Sequence, residues 1–278
     1  MILSFHPIIE AHENIICAGR QPDENDLAAI RRADALILPQ GCSEALYRMA
    51  RANCRHLFPN MDVRFDFPGK RGQIRLFQKL RVAHPATTLH DSAAAFESQM
   101  AALALPAVVK LDWGGQGETV FKAQSHEDLA RILAHIQSCE RSGQKGFLVQ
   151  QYIPARQRSL RVALIGTRRI SYWRIQPDPG AFGDSVAAGA RIDHHADPDL
   201  KSAAEAVVED FSLRTGLQLA GFDFLFDERI LTQGRIQPLL LEINYFFGRT
   251  GLGGSEKYYQ ILLEETDAWL DRLGLKRK

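Results

Sequence analysis

Two apolar stretches near the C-terminus, AGFDFLF at residues 220–226 and LLLEIN at residues 239–244, decide how the rest of the chain is read. Both have the length and composition of strands. In the first, alternation with period two puts Asp223 on the face opposite Phe222 and Phe224. In the second, Glu242 and Asn244 share one face while Ile243 takes the other. Two carboxylates and one amide oxygen on adjacent strands form a hard-oxygen set, the kind magnesium takes in part from protein and completes with phosphates and water. The plain alternative is solvent-facing polar residues on half-buried strands. It is weakened by neighbours so apolar that an unpaired buried carboxylate would be costly.

Upstream, the apolar strand AVVK ends in Lys110, three residues before Trp113-Gly114-Gly115-Gln116-Gly117. Glycines let backbone amides approach a phosphate, and the lysine adds a point charge. No Gly-Lys-Ser/Thr opens a helix, so this is not a Walker A loop. Alone, the element reads equally as a surface turn. Between the two regions lies FLVQQYIP, residues 147–154, which reads either as a linker between lobes or as a hinge whose backbone meets an adenine edge.

The flanking pattern places these elements. ILSF, NIICAG and ALILP read as strands, with helices from about Pro22 to Ala33 and from Ser43 to Cys54, a small parallel α/β unit. A helix around Gln73 to Val82 precedes His84-Pro85. PAVVKL and TVFKA read as strands around the glycine loop. Ser125 to Asp128 resembles a capping box opening a helix to about Glu140. LRVALIG and RRISYWRI form a hairpin turned at Gly166-Thr167. Asp197-Pro198 opens a helix that Gly216 ends, and a terminal helix spans Gly254 to Leu273. The later two-thirds therefore read as α+β.

Composition is permissive. The 278 residues carry a formal charge of +1, which gives no reason to expect nucleic acid or an acidic membrane as partner. Basic residues do crowd the stretch from Arg48 to Arg81, read first as a solvated face and second as a contact for an anion. Cys17, Cys42, Cys54 and Cys139 form no C-x-x-C pair, which argues against zinc and fits a reduced cytoplasmic compartment. The N-terminus has no signal-peptide pattern, and no run is long and apolar enough to span a bilayer. His194-His195 reads as a loop feature.

The order of Lys110 with its glycine loop, a helix, VQQYI, arginine-bearing strands, and then D…E-x-N resembles an ATP-grasp domain. It is most similar to the branch containing the ribosomal-protein glutamate ligases and glutathione-synthetase-like enzymes. The resemblance covers roughly residues 70–278 and is specific in combination. It implies an α+β fold in which two lobes clamp the nucleotide, here residues 70–155 with the lid and residues 156–278 with the metal site, after a small α/β domain at residues 1–69. It further implies that Lys110 contacts the α- and β-phosphates and that Gly114, Gly115, Gln116 and Gly117 close over them. Gln150, Gln151, Tyr152 and Ile153 would serve adenine. Arg161 and Arg174 would face the γ-phosphate or reacting carboxylate. Asp223, Glu242 and Asn244 would hold Mg²⁺ or Mn²⁺.

Three departures stand out. The family's lysine at the start of the clamp has Gln73 as its expected counterpart, with Lys70 and Arg71 just upstream. Ser159 stands where the glutamate ligases carry aspartate, and YFFGRTG replaces a small-residue-Pro-Gly run. The expected activity is ATP-dependent joining of a small-molecule or peptide carboxylate to an amine or thiol through an acyl-phosphate. A small-molecule kinase on the same fold and a non-catalytic ATP-binding regulator are the competing readings. A homodimer is the ordinary expectation for a cytosolic enzyme.

Overall fold

A parallel sheet opens the chain, as short apolar runs alternating with amphipathic helices require. Its strands are β1 (Ile2–Ser4), β2 (Glu13–Asn14), β3 (Ala35–Ile37) and β4 (Leu57–Phe58), in the order β2-β1-β3-β4. The helices are α1 (Glu24–Arg32) and α2 (Glu44–Asn53). In α1, Asp23 caps the amides of Asn25 and Asp26 while Asp26 returns the bond, a capping box built from two aspartates. The strand expected over residues 14–19 is a correction: pairing covers only Glu13–Asn14. Beyond the Ile15 amide, which still donates to Ser4 O, the chain turns away through Arg20, whose amide donates to Cys17 O. The computed structural model describes residues 1–114, 119–178, 180, 183 and 189–277.

After the short α3 (Asp62–Asp66), α4 (Gly69–Leu80) begins four residues earlier than periodicity suggests and stops at Leu80. Extended Pro68 sits at its N-cap, and Arg81, at φ 54°, turns the chain out of the helix. Gly72 lets the first turn of α4 lie against the preceding chain, since a Cβ there would stand 2.6 Å from the Phe67 carbonyl carbon.

The second sheet is antiparallel, in the order β5-β8-β6-β7, from β5 (Thr87–His90), β6 (Ala107–Leu111), β7 (Val120–Ala123) and β8 (Phe147–Gln151). One face packs Val109, Leu111, Phe147 and Val149 against Phe96 of α5 (Ala93–Glu97) and Leu129, Leu133 and Ile136 of α6 (His126–Arg141). Ser125 and Asp128 form the capping box that starts α6.

The third sheet, also antiparallel, runs β11-β10-β9-β12-β13. Its strands are β9 (Arg158–Ile165), β10 (Arg168–Ile175), β11 (Arg191–Asp193), β12 (Leu219–Leu225) and β13 (Leu239–Asn244). Leu160, Val162, Phe222 and Phe224 pack on one face against Ala204, Val208 and Phe211 of α7 (Pro198–Thr215), and Ile74 and Phe77 of α4 join the same cluster. After the one-turn α8 (Glu228–Leu231) and β13 comes α9 (Ser255–Arg272). Tyr258, Ile261 and Leu262 of α9 meet Ala163, Ile165 and Leu219 on the other face, with Ile2, Ile37 and Phe58 of the first sheet. Both faces of this sheet are thus buried over part of their area, which is why its central and inner strands β9, β12 and β13 read as nearly continuous apolar runs.

The outer edge of β13 is not left bare. The Gln73 amide nitrogen donates to Ile243 O and its oxygen accepts from Ile243 N, both at 2.8 Å. This pins α4 to the strand that carries Glu242 and Asn244. Gln73→Ala strips a partner from two half-buried backbone groups, so stability should fall by about 1–3 kcal/mol. Urea denaturation checks this, and an unchanged midpoint would mean the clamp contributes nothing.

Candidate functional site

Pleating brings the polar ends of β9, β10, β12 and β13 to one face. Asp223 pairs in register with Arg161 on one side and Glu242 on the other, and Ser159 pairs with Arg174. Phe222 and Phe224 take the opposite face, in the core. At the centre Asp223, 1% exposed, receives the Arg161 guanidinium through both its oxygens, with Arg161 Nη2 at 2.9 Å from Oδ2. Arg174 Nη2 lies 3.1 Å from the same oxygen. Burial pushes the Asp223 carboxyl up, but Arg161 and Arg174 outweigh it and hold the group below its ordinary range. Gly221 makes room: a Cβ there would stand 2.8 Å from Arg161 Nη1. Buried Ser159 accepts from Arg174 Nε at 3.1 Å and Nη2 at 2.7 Å, so it orients the guanidinium without neutralising it.

Asn244 ties the carboxylates together. Its Nδ2 donates to Asp223 Oδ2 at 2.9 Å and to Glu242 Oε1 at 3.0 Å. The three candidate ligands therefore converge. Because the amide nitrogen serves both acids, its oxygen is left as an acceptor, and with the Glu242 carboxylate it forms a hard-oxygen set that suits a divalent cation. Among the described residues no group of three or more His, Cys, Asp or Glu forms a rival metal centre.

Lys70 completes this corner, where the family resemblance pointed to Gln73. In place of Gln73, which is committed to the β13 backbone, Lys70 in the first turn of α4 reaches the base of the glycine loop. Its Nζ donates to Trp113 O at 3.2 Å and Gly114 O at 3.1 Å. Burial lowers its pKa, opposed by Glu242 and Asp112. Three neighbours in the basic stretch are spoken for: Arg48 pairs with Glu44 and Asp66, Arg51 with Asp62, and Arg71 with Asp91. No local signal in the sequence separates Lys70 from them.

On the second sheet, Lys110 is 6% exposed and lies opposite Leu148, one pleat from Gln150. Leu148 belongs to the large core cluster with α4, so this face turns toward the third sheet. Buried Gln150 gives its amide nitrogen to Thr87 Oγ1 at 3.0 Å. Gln151 is exposed and its side chain takes the other face, opposite Ala107, so the structure does not bring it to Lys110. Tyr152 stacks under Lys122 Nζ at 4.1 Å, and Ile153 is buried. Gly114, at φ 77°, opens the glycine loop. Gly115, Gln116 and Gly117 lie outside the described residues.

Arg161, Arg174 and Lys70 thus surround Asp223 and Glu242, and this positive excess fits a polyanion. Residues 69–265 match the model of a family described as the RimK-like ATP-grasp domain. Proteins named probable alpha-L-glutamate ligase from Legionella pneumophila strains Corby and Paris are 29% identical over 159 residues, covering 57% of this chain and 47% of each relative. The chain spans about half the length of the curated relatives it matches. A RimK domain ATP-grasp protein from Sphaerobacter thermophilus superposes with a TM-score of 0.62 at 16% identity, over 84% of this chain and 81% of that one. For the D-alanine–D-alanine ligase of Bacillus anthracis the TM-score is 0.59 at 13% identity, over 93% and 84%. Identities this low establish a shared fold.

Asp223 yields a pH prediction. Its folded-state pKa lies below the unfolded value of about 3.9. Its stabilisation is therefore complete above about pH 4 and is lost as pH falls through the folded-state value. Asp223→Asn leaves two guanidiniums without their shared anion and should cost about 3–5 kcal/mol at neutral pH. Its acid limb should also be shallower than that of the native protein. Equal acid limbs in the two proteins would remove Asp223 from the account.

Proposed function

The chain belongs to the RimK-like ATP-grasp family, and from that premise we propose that it joins a carboxylate to an amine with consumption of ATP. The observation that carries the reading is the buried Arg161–Asp223–Arg174 cluster with Glu242 and Asn244 beside it. It offers cations for transferring phosphate and oxygens for a metal within one patch.

In this reading Lys110 and Lys70 hold the nucleotide phosphates from the second sheet and from α4. The Gln150 oxygen accepts from the adenine amine, its nitrogen being held by Thr87. Tyr152 and Ile153 flank the ring edge. Asp223, Glu242 and Asn244 hold Mg²⁺ or Mn²⁺. When bound, such a cation neutralises charge developing on the phosphoryl oxygens. Arg161 and Arg174 do the same from the protein side, with no reorganisation needed because Asp223 and Ser159 already fix them.

A substrate carboxylate oxygen attacks the γ-phosphorus and ADP leaves, giving an acyl-phosphate. The amine nitrogen then attacks the acyl carbon, the carbon–oxygen bond to phosphate breaks, and the amine loses a proton. Little covalent work falls to the protein, so positioning and charge supply most of the rate. The position of Lys70 beside the glycine loop speaks against one of the two grounds for a non-catalytic binder, the missing lysine at the start of the clamp; the other is the bulky run Tyr245-Phe246-Phe247.

Two assays test the proposal. With hydroxylamine as trap and a panel of small carboxylates, ADP release should be accompanied by hydroxamate. ADP without hydroxamate would favour a kinase, and ATP binding with no ADP would favour a regulator. Glu242→Gln should abolish metal-dependent turnover. Lys70→Ala and Lys110→Ala should each weaken ATP binding by on the order of 10- to 100-fold in calorimetry, about 1.4–2.8 kcal/mol. Unchanged affinity would take either lysine out of the site.

A further inference from the structure

The register that gathers the charged cluster also lays out a row across four strands. Tyr172 on β10 pairs with Arg161 on β9, Arg161 with Asp223 on β12, and Asp223 with Glu242 on β13. Residues paired in register share a face, so a phenol stands at the end of the row opposite the metal-ligand candidates. Three inter-strand steps put its backbone about 14 Å from that of Glu242. The segment joining β13 to α9 crosses the row: a Cβ on Gly221 would stand 3.1 Å from Phe247 Cβ, and Gly251 lies on the Tyr172 ring. With Gln40 the same segment lines a cavity of about 720 Å³, so the row borders open volume.

The fold accounts for the Tyr172 ring but not for its hydroxyl. The residue is 3% exposed and belongs to the core cluster that contains Tyr258 and Ile261 of α9. Gly251 covers the hydroxyl end, since a Cβ there would stand 2.2 Å from Tyr172 Cζ and 2.4 and 2.5 Å from Cε2 and Cε1. The His194 ring lies 5.7 Å away, centroid to centroid. Among the described residues no donor or acceptor meets Tyr172 Oη. The polar side-chain atoms sealed from solvent without a partner are, among those residues, Arg71 Nε and Tyr245 Oη. Tyr172 Oη is neither, so it reaches an opening. A hydroxyl buried this far with no partner costs stability, and such costs gather where a site needs the group for something else.

The neighbours define that need. Burial raises the phenol's pKa, and although Arg161 lowers it the group remains a protonated donor at neutral pH. Arg161 is coupled to Tyr172 more strongly than to Glu242. A neutral donor beside a guanidinium suits an oxygen that gains negative charge during reaction. The metal-ligand candidates hold the far end of the row, which assigns the phosphoryl group to β13 and the acyl group to β10.

Resting on the ligase reading above, we infer that Tyr172 is a further catalytic residue, whose hydroxyl donates a hydrogen bond to the acyl oxygen during amide formation. As the amine nitrogen attacks the acyl carbon, an electron pair of the carbonyl moves onto that oxygen. Tyr172 Oη and the Arg161 guanidinium meet the charge there. The pair then returns, the carbon–oxygen bond to phosphate breaks, and the amine gives its proton to solvent while the phenol keeps its own. Gly251 is the positioning residue, because any side chain there would drive the ring from its seat.

Tyr172→Phe removes one oxygen atom and keeps the ring packing, so it isolates the hydroxyl. With a carboxylate and amine that the native protein joins, kcat should fall by on the order of 100-fold while the KM for ATP holds. The melting temperature should hold or rise, because no hydrogen bond within the protein is lost. Mixed rapidly with ATP and both substrates, the variant should release a burst of ADP before amide appears, since acyl-phosphate formation is untouched. Gly251→Ala should lower kcat in the same way. An unchanged kcat in Tyr172→Phe, a fall in its melting temperature, or equal slowing of ADP and amide without a burst would each overturn the inference and leave the ligase reading intact. A native protein that releases no ADP with any pair defeats the ligase reading itself, and this role with it.

Discussion

A single carboxylate shared by two arginines governs the third sheet. Taking Asp223 out of water costs several kcal/mol unless its charge is met at close range. Arg161 meets it from the neighbouring strand and Arg174 from one strand further. That arrangement exists in only one register of β9, β10 and β12, because a one-residue slip would send all three side chains to the apolar face. The same demand explains two small residues. Gly221 is bare where the Arg161 guanidinium lies, and Ser159 offers a hydroxyl where a carboxylate would neutralise Arg174. The cluster is stable in the fold yet retains positive charge for a ligand.

The second constraint is mechanical. The metal-ligand candidates Glu242 and Asn244 sit on an edge strand, which would ordinarily be free to move or pair elsewhere. Gln73 occupies that edge with a two-bond clamp, and the Leu240 amide donates to Ala83 O just beyond α4. The helix that secures the strand also carries Lys70 to the base of the glycine loop. One element therefore links the loop, the carboxylates and the core in which Ile74 and Phe77 are buried. On the other side of β13, Gln40 ties the first sheet to Tyr245 and α9. The charged cluster and the cavity beside it are composite, and neither belongs to one sheet.

Much of this was legible from residues alone. Period-two alternation placed Asp223 opposite its phenylalanines and put Glu242 and Asn244 together, because pleating leaves a strand only two faces. Caps and turn formers located α6, α7 and α9 closely: Ser125 with Asp128, Pro198 after Asp197, and Gly216 at φ 74°. The α+β class followed from the order of these elements. These readings succeeded because each depends on backbone geometry within a few residues.

What depends on distant partners was not legible. Lys70 and Gln73 lie within one turn of each other, and either side chain suits a phosphate by type. Only the approach of the β13 edge assigns one to backbone and the other to charge. The apolar run Asn14–Gly19 has strand composition, yet beyond Glu13 and Asn14 its backbone finds no ladder on β1. Gln150 and Gln151 differ by one pleat, and the side of the sheet that meets α4 decided which shares a face with Lys110. Sequence by itself determined the longer strands and helices and the carboxylates that need cations, since those follow from local backbone geometry and burial. Tertiary structure alone decided which cations answer, because a charge pairs with whatever the fold brings within a few ångströms, and separation along the chain does not encode that distance.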